Sequence, residues 1–329
     1  MRLALAALCV ILTGCSRYAD FSLPPLQAKP GKVVWGFETR PQPVLSSVPG
    51  FTDVLNPSVT VWKDSFYNLF SGYDGKAWHT GLATSPDATT WTVVNAKVLS
   101  PDPRTWEGDY IAANGSALRS PAEFFYWYQG GREPRIGLAR SPDGIRWARH
   151  PQPVLGPGPR GSWNERGVAD PYVIRAGKYL YMYYLGQDRA QRQRLGVARS
   201  EDGVRWESYK TNPFFELGGP GDFDEIGLGE PAVFTTLGSY WMLYTGRDRE
   251  EHRAIGLARS QDGVHWTRVS TKPVFTGTQS WDSKVVCDPS VMVSPGGVRV
   301  WFGGGDRPEP AENLHGQIGY ADLKISIED

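Results

Sequence analysis

The chain has 329 residues with 35 basic and 35 acidic side chains, so its formal charge is zero. No basic run interleaved with aromatics is present, which removes the electrostatic case for nucleic acid. Tryptophan, tyrosine and phenylalanine number 13, 15 and 13 and glycine 38, a strand-and-turn composition with ample material for a buried core, enough for one large all-β domain or two ordinary ones.

The first residues read as a targeting segment. Arg2 precedes an apolar stretch, Leu3 to Leu12, and small residues lead to Cys15. The stretch is too short to span a bilayer as a helix. Leu12-Thr13-Gly14-Cys15 resembles the lipobox of bacterial lipoproteins. That resemblance implies a signal peptide over residues 1–14, lipidation at Cys15, and a place in the bacterial cell envelope with the membrane met only through the anchor. Ser16, rather than Asp, after the cysteine resembles outer-membrane sorting, facing the periplasm or the outside. Residues 15–31, with Pro24-Pro25 and Pro30-Gly31, read as a tether. Once Cys9 is removed and Cys15 lipidated, Cys287 is the one thiol left, so no intramolecular disulfide framework is expected.

From there the chain repeats. A Ser-x-Asp turn leads to Trp91, Trp147, Trp206 and Trp266, which stand 56, 59 and 60 residues apart. A Gly-Leu-Ala or Gly-Val-Ala run precedes each, at Gly81, Gly137, Gly196 and Gly256, and Ile318-Gly319-Tyr320-Ala321 is a fifth copy. The strand openings Asn56-Pro57, Asn114-Gly115, Asp170-Pro171, Glu230-Pro231 and Asp288-Pro289 recur at spacings of 58, 56, 60 and 58. Within Gly161 to Trp206, four short β-type runs separated by turns form one such unit. A fixed period of this length predicts a five-bladed β-propeller with four strands per blade, spanning 32–327 as one all-β domain and expected to act as a monomer. The fifth blade lacks its last strand, and Trp35 to Leu45 matches the missing pattern, so the N-terminal strand is expected to close the last blade. The Ser-x-Asp-Gly turn resembles the Asp-box of sialidases but is one residue shorter, and Asp-Gly is a strong hairpin signal, so its expected role is structural.

In a propeller the first strand of each blade lines the central channel. Asn56, Asn114, Asp170, Glu230 and Asp288 are therefore expected at one rim. The connections from second to third strand reach the same rim with Arg247 and Asp306 among their residues, and Asp109, Arg166, Trp163 and Trp281 lie just before the openings. Three converging carboxylates repel one another, which raises at least one pKa and leaves another ionised. That split supplies an acid and a base for glycoside hydrolysis, with aromatic rings stacking on sugar faces. Local chain chemistry accounts for the Asn-Pro and Asp-Pro openings but not for Glu230-Pro231, because glutamate is not a favoured turn residue.

Asp170-Pro171, Glu230-Pro231 and runs such as Ile255-Gly256-Leu257-Ala258-Arg259-Ser260 resemble five-bladed propeller glycosidases, nearest to glycoside hydrolase family 43 and its relatives. The resemblance implies an inverting hydrolase of an oligo- or polysaccharide, with Asp170 as pKa modulator and Glu230 as general acid. The family's general-base aspartate falls at Asn56, and an amide cannot take the proton. Asp53 or Asp288 would then serve as base, or the chain would be a non-catalytic carbohydrate-binding propeller. Cys287 is expected to pack inside the blade, since adjacent strand residues face opposite ways. The five histidines lack metal-ligand spacing, so no metal site and no cofactor are expected, although the oxygen-rich channel leaves room for calcium.

Overall fold

The computed structural model describes residues 18–328, so the stretch read as a signal peptide, residues 1–14, and Cys15 lie outside the described residues. Among the described residues regular structure is strand throughout, apart from one short 3-10 turn at Ser280–Asp282. No helix there is long and apolar enough to cross a membrane.

The sequence repeats become successive antiparallel meanders. Asp53–Trp62, Ser65–Tyr73, Trp78–Ser85 and Thr92–Leu99 pair in order. Ile111–Arg119, Phe124–Gly130, Arg135–Ser141 and Ala148–Arg149 follow. Gly167–Ala176, Tyr179–Gln187, Gln193–Ser200 and Glu207–Tyr209 make the next. Gly227–Thr236, Ser239–Arg247, Arg253–Ser260 and Thr267–Arg268 come after it. Val285–Ser294, Gly297–Gly305 and Gln317–Glu328 end the chain, and Lys32–Thr39 pairs along Gln317–Glu328. Leu45, Leu155, Phe215 and Phe275 each bridge back to the third strand of a set, as the shared Pro-Val-Leu-like ends imply.

Neighbouring sets are joined by three devices that the repeats supply. Third strands touch the next first strand in parallel at Trp78 and Ile111, Gln193 and Gly227, and Arg253 and Val285. First-strand serines accept a backbone N–H from the next set: Val59 donates to Ser290 at 3.1 Å, Ala117 to Ser58 at 2.7 Å and Val173 to Ser116 at 2.9 Å. The Ser-x-Asp turns are the third device. Asp202 Oδ1 accepts the N–H groups of Val204 and Arg205 at 2.9 and 2.8 Å, which exposes the turn carbonyls in a fixed direction. Trp127 Nε1 then donates to Gly203 O, Tyr183 Oη to Gly263 O and Trp301 Nε1 to Ala88 O, each at 2.8 Å and each from the second strand of the preceding set. The turn is a latch between sets, in line with its expected structural role.

The segment read as a tether is packed over much of its length. Tyr18–Ala19 pairs in parallel with Ser208 and Tyr209. Phe21 and Leu23 are buried among Tyr181, Tyr183, Tyr209 and Val264. The backbone is held as well, with Leu23 N donating to Asp262 O at 2.8 Å and Arg259 Nη2 to Lys29 O at 2.7 Å. The proline-rich composition does describe an extended chain, but its apolar side chains have a groove to fill. Leu23→Ala is expected to destabilise the fold by about 2–5 kcal/mol in denaturant unfolding, the cost of emptying a buried leucine site. A solvated tether would show no change.

Candidate active site

Each first strand carries the same irregularity. Between Leu55 and Ser58, Ala113 and Ser116, Ala169 and Tyr172, Gly229 and Ala232, and Cys287 and Ser290, two residues stand opposite one on the partner strand. Proline at the second bulged position in four of the five loses no ladder bond, because the ladder is already interrupted. The first bulged residue is always left-handed: φ is 47° at Asn56, 49° at Asn114, 46° at Asp170, 44° at Glu230 and 53° at Asp288. A bulge of this kind re-aims a side chain. All five line one cavity of about 190 Å³. Asparagine and aspartate tolerate this backbone, whereas glutamate does not favour it, so the strain at Glu230 marks a position held for its side chain.

Hydrogen bonds fix the ring. Asn114 N donates to Ser71 Oγ, and that hydroxyl donates to Asn114 Oδ1, both at 2.9 Å. Asp288 N meets Thr245 Oγ1 at 3.3 Å. Asp288 Oδ2 accepts the Asn56 N–H at 3.2 Å and the Cys287 thiol at 3.1 Å. Glu230 Oε2 is buried with no hydrogen-bond partner among the described residues.

Charge is divided unevenly around the ring. Burial, then the charges of Glu230 and Asp288, push Asp170 well above the usual carboxylate range, against a bond from Asn114. Burial and Glu230 push Asp288 up to about 7, while Cys287, Arg253 and the Asn56 N–H pull it back. Arg253 faces the same acids. Burial works against its charge, but Cys287, Glu230 and Asp288 outweigh burial and hold it cationic. Arg247 also lines the cavity and is shifted down, first by burial and then by Arg253, with Glu251 Oε2 3.3 Å from its Nε.

Other residues expected near a substrate stand elsewhere. Trp163 tilts against Tyr184, and a Cβ at Gly186 or Gly196 would strike its ring. Trp281 stacks on Phe302, fills the space over Gly304 and Gly319, and donates Nε1 to Pro41 O at 3.0 Å. Trp106 covers Gly130 and Gly137, and Phe223 covers Gly246 in the same way. These rings are wedges over glycine, not sugar platforms, and Gly137, Gly196 and Gly319 of the recurring strand glycines leave the room that seats three of them. Asp109 pairs with Arg132 at the exposed surface, 3.1 Å apart. Arg166 is exposed and bonds Gln187 O through its backbone. Asp306 holds His315 at 2.8 Å. None of Asp109, Arg166, Trp163, Trp281 and Asp306 lines the cavity. Asp53, one alternative for the base, is fully buried and spends both oxygens on the N–H groups of Gly316 and Asn313, each at 2.8 Å.

Cys287 is buried as expected, yet it also reaches Asp288. The bulge breaks the alternation that would have sent the two side chains apart. Arg253, Gln193, Pro134 and Trp78 were missed, although each stands three residues before the Gly of the third-strand run and lines the cavity. That shared register was the available signal. Among the described residues no group of three or more His, Cys, Asp or Glu side chains has the geometry to hold a metal ion.

The profile of the "Glycosyl hydrolases family 32 N-terminal domain" matches residues 57–218. The uncharacterized protein MT1551 of Mycobacterium tuberculosis is 33% identical over 162 residues, which cover 46% of this chain and 52% of that protein. The match thus spans about half the length of that relative. A solved structure titled "Glycoside hydrolase" superposes with a TM-score of 0.70 at 16% identity, covering 92% of each chain. A thermostable family-43 glycoside hydrolase superposes at 0.65 and 16% identity, covering 87% of this chain and 92% of that one. The resemblance to propeller glycosidases is thus a resemblance of fold over nearly the whole chain.

The shifted carboxylates set a pH dependence. The folded state binds more protons than the unfolded chain between about pH 3.9, where free aspartate titrates, and the folded value of Asp288. Stability therefore falls as pH rises through that window. Asp288→Asn should flatten the fall and raise Tm at pH 8 by roughly 2 °C or more, with little difference near pH 4, measured by calorimetry.

Proposed function

We propose that the chain is a glycoside hydrolase whose chemistry is run by carboxylates in the axial cavity of a five-bladed propeller with four strands per blade. The pairing of Lys32–Thr39 with Gln317–Glu328 supports closure of the last blade by the N-terminal strand. The observation that carries the reading is the ring itself: Asp170, Glu230 and Asp288 meet in one cavity, with Asp170 and Asp288 both shifted up by burial and by Glu230. Glu230, its Oε2 unbonded, protonates the leaving oxygen. Asp170, its carboxyl pushed up by burial and by Glu230, tunes that acid. Asp288, at about 7, is matched to accept a proton from water near neutral pH. The two roles fit inversion, in which acid and base stand roughly 6.5–9.5 Å apart with water between them. Arg247, Asn56 and Asn114 bind sugar hydroxyls. Cys15 carries the lipid that keeps the propeller at the cell envelope, and no cofactor is required.

A second reading, a carbohydrate-binding propeller without turnover, has one observation in its favour. The position of the family's base is Asn56, whose side chain accepts no proton. Full-length chain and a Glu230→Gln variant, incubated with plant, fungal and bacterial glycans, separate the two. Hydrolysis predicts sugar release by the wild type and a loss of at least about a hundredfold in the variant, the scale of a general acid's contribution. Sugar binding by both without release gives the second reading, and equal release by both removes Glu230 as the acid.

A further inference from the structure

The mouth of the cavity is built unevenly. The connections between second and third strands cover residues 74–77, 131–134, 188–192 and 248–252, four or five residues each, and the last covers 306–316. That longer loop leaves its own set and crosses to three others. Asn313 N and Gly316 N are held by the two oxygens of Asp53, each at 2.8 Å. Glu312 Oε2 accepts the Tyr110 hydroxyl at 3.1 Å. Arg253 Nη2 donates to Glu309 O at 3.0 Å and Pro310 O at 2.7 Å. Leu314 is fully buried among Leu55, Tyr73, Trp78 and Ile111. Pro310, Ala311 and Leu314 thereby become one wall of the cavity, which Gln129, Gln187, Gln193 and Arg247 also line.

We propose that this crossing loop makes the site a pocket for the end of a glycan chain, so that the protein takes a terminal sugar residue and not an internal one. The proposal rests on the reading of the cavity as a sugar site. An internal segment needs an entrance and an exit across the ring, and the loop stands across one of them. The cavity, at about 190 Å³, lies below the roughly 300–1,000 Å³ of pockets that engulf drug-sized ligands, a size for one sugar unit and not for several. The wall is rigidly placed, because its bonds go to three other sets and its apolar anchor is in the core. Asp53 is therefore the residue that sets the mouth's shape without touching the reacting atoms.

The test uses the full-length chain with reducing-end-labelled oligosaccharides of two to six units from plant, fungal and bacterial glycans. Products are followed over time, and affinities are measured by fluorescence polarisation with the matching monosaccharides as competitors. The expected result is loss of one terminal unit per event where release occurs, an affinity varying less than threefold from two to six units, and competition by a monosaccharide. Early internal products, or an affinity rising tenfold or more with length, overturn the proposal and leave the carbohydrate reading standing. No binding and no release across the panel overturns both. A chain with residues 308–312 replaced by Gly-Gly should gain internal cleavage or length-dependent affinity. Glu312→Gln, which keeps the loop length, weakens its bonds to Tyr110 and Tyr73 and should move in the same direction by a smaller factor. Two folded variants that keep the wild-type profile would also overturn the proposal.

Discussion

The bulge in each first strand is the constraint on which the molecule depends. One inserted residue takes a left-handed backbone, and its side chain leaves the sheet and turns toward the common cavity. Without that turn a regular strand would send alternate side chains into the sheets on either side, and no ring of five would form. The same insertion brings Cys287 and Asp288 onto one side and stitches Asn56 to its neighbour's carboxylate. Geometry that crowds three acids together then dictates their chemistry, because buried like charges cannot all remain ionised.

Most of the architecture was legible because the repeats are near-exact in their turns and openings. Periods near 58 residues located the openings, and the matching Pro-Val-Leu ends identified the N-terminal strand as kin to strands at the other end of the chain. The cavity ring was legible for the same reason. What the sequence concealed was direction. A tryptophan before a strand reads equally well as a platform for sugar and as a plug over glycine, and only the positions of Gly186, Gly196, Gly304 and Gly319 decide between them. Arg253 was hidden because an arginine at a strand end is usually a solvated charge, whereas here the neighbouring acids hold it inside. The packed stretch from Phe21 to Lys29 was hidden by its prolines, which report extension but not contact.

The structure also separates two populations of acids that look alike in the chain. Asp87, Asp143, Asp202 and Asp262 fold their oxygens onto the backbone N–H groups of their own turns. Their carboxylates are kept ionised by these bonds, the reverse of the situation at Asp170 and Asp288. Arginines divide in the same way, with Arg146 and Arg205 closing turns at the surface and Arg247 and Arg253 facing the cavity. Composition at neutral net charge therefore conceals a strongly patterned interior.

The pairing of Lys32–Thr39 with Gln317–Glu328 joins residues nearly the whole chain apart. During synthesis the early strand emerges with an unpaired edge and waits until Gln317–Glu328 has been made. That pairing is far from local in sequence, and such non-local pairings form slowly. In that interval the exposed edge is a template for another copy's strand.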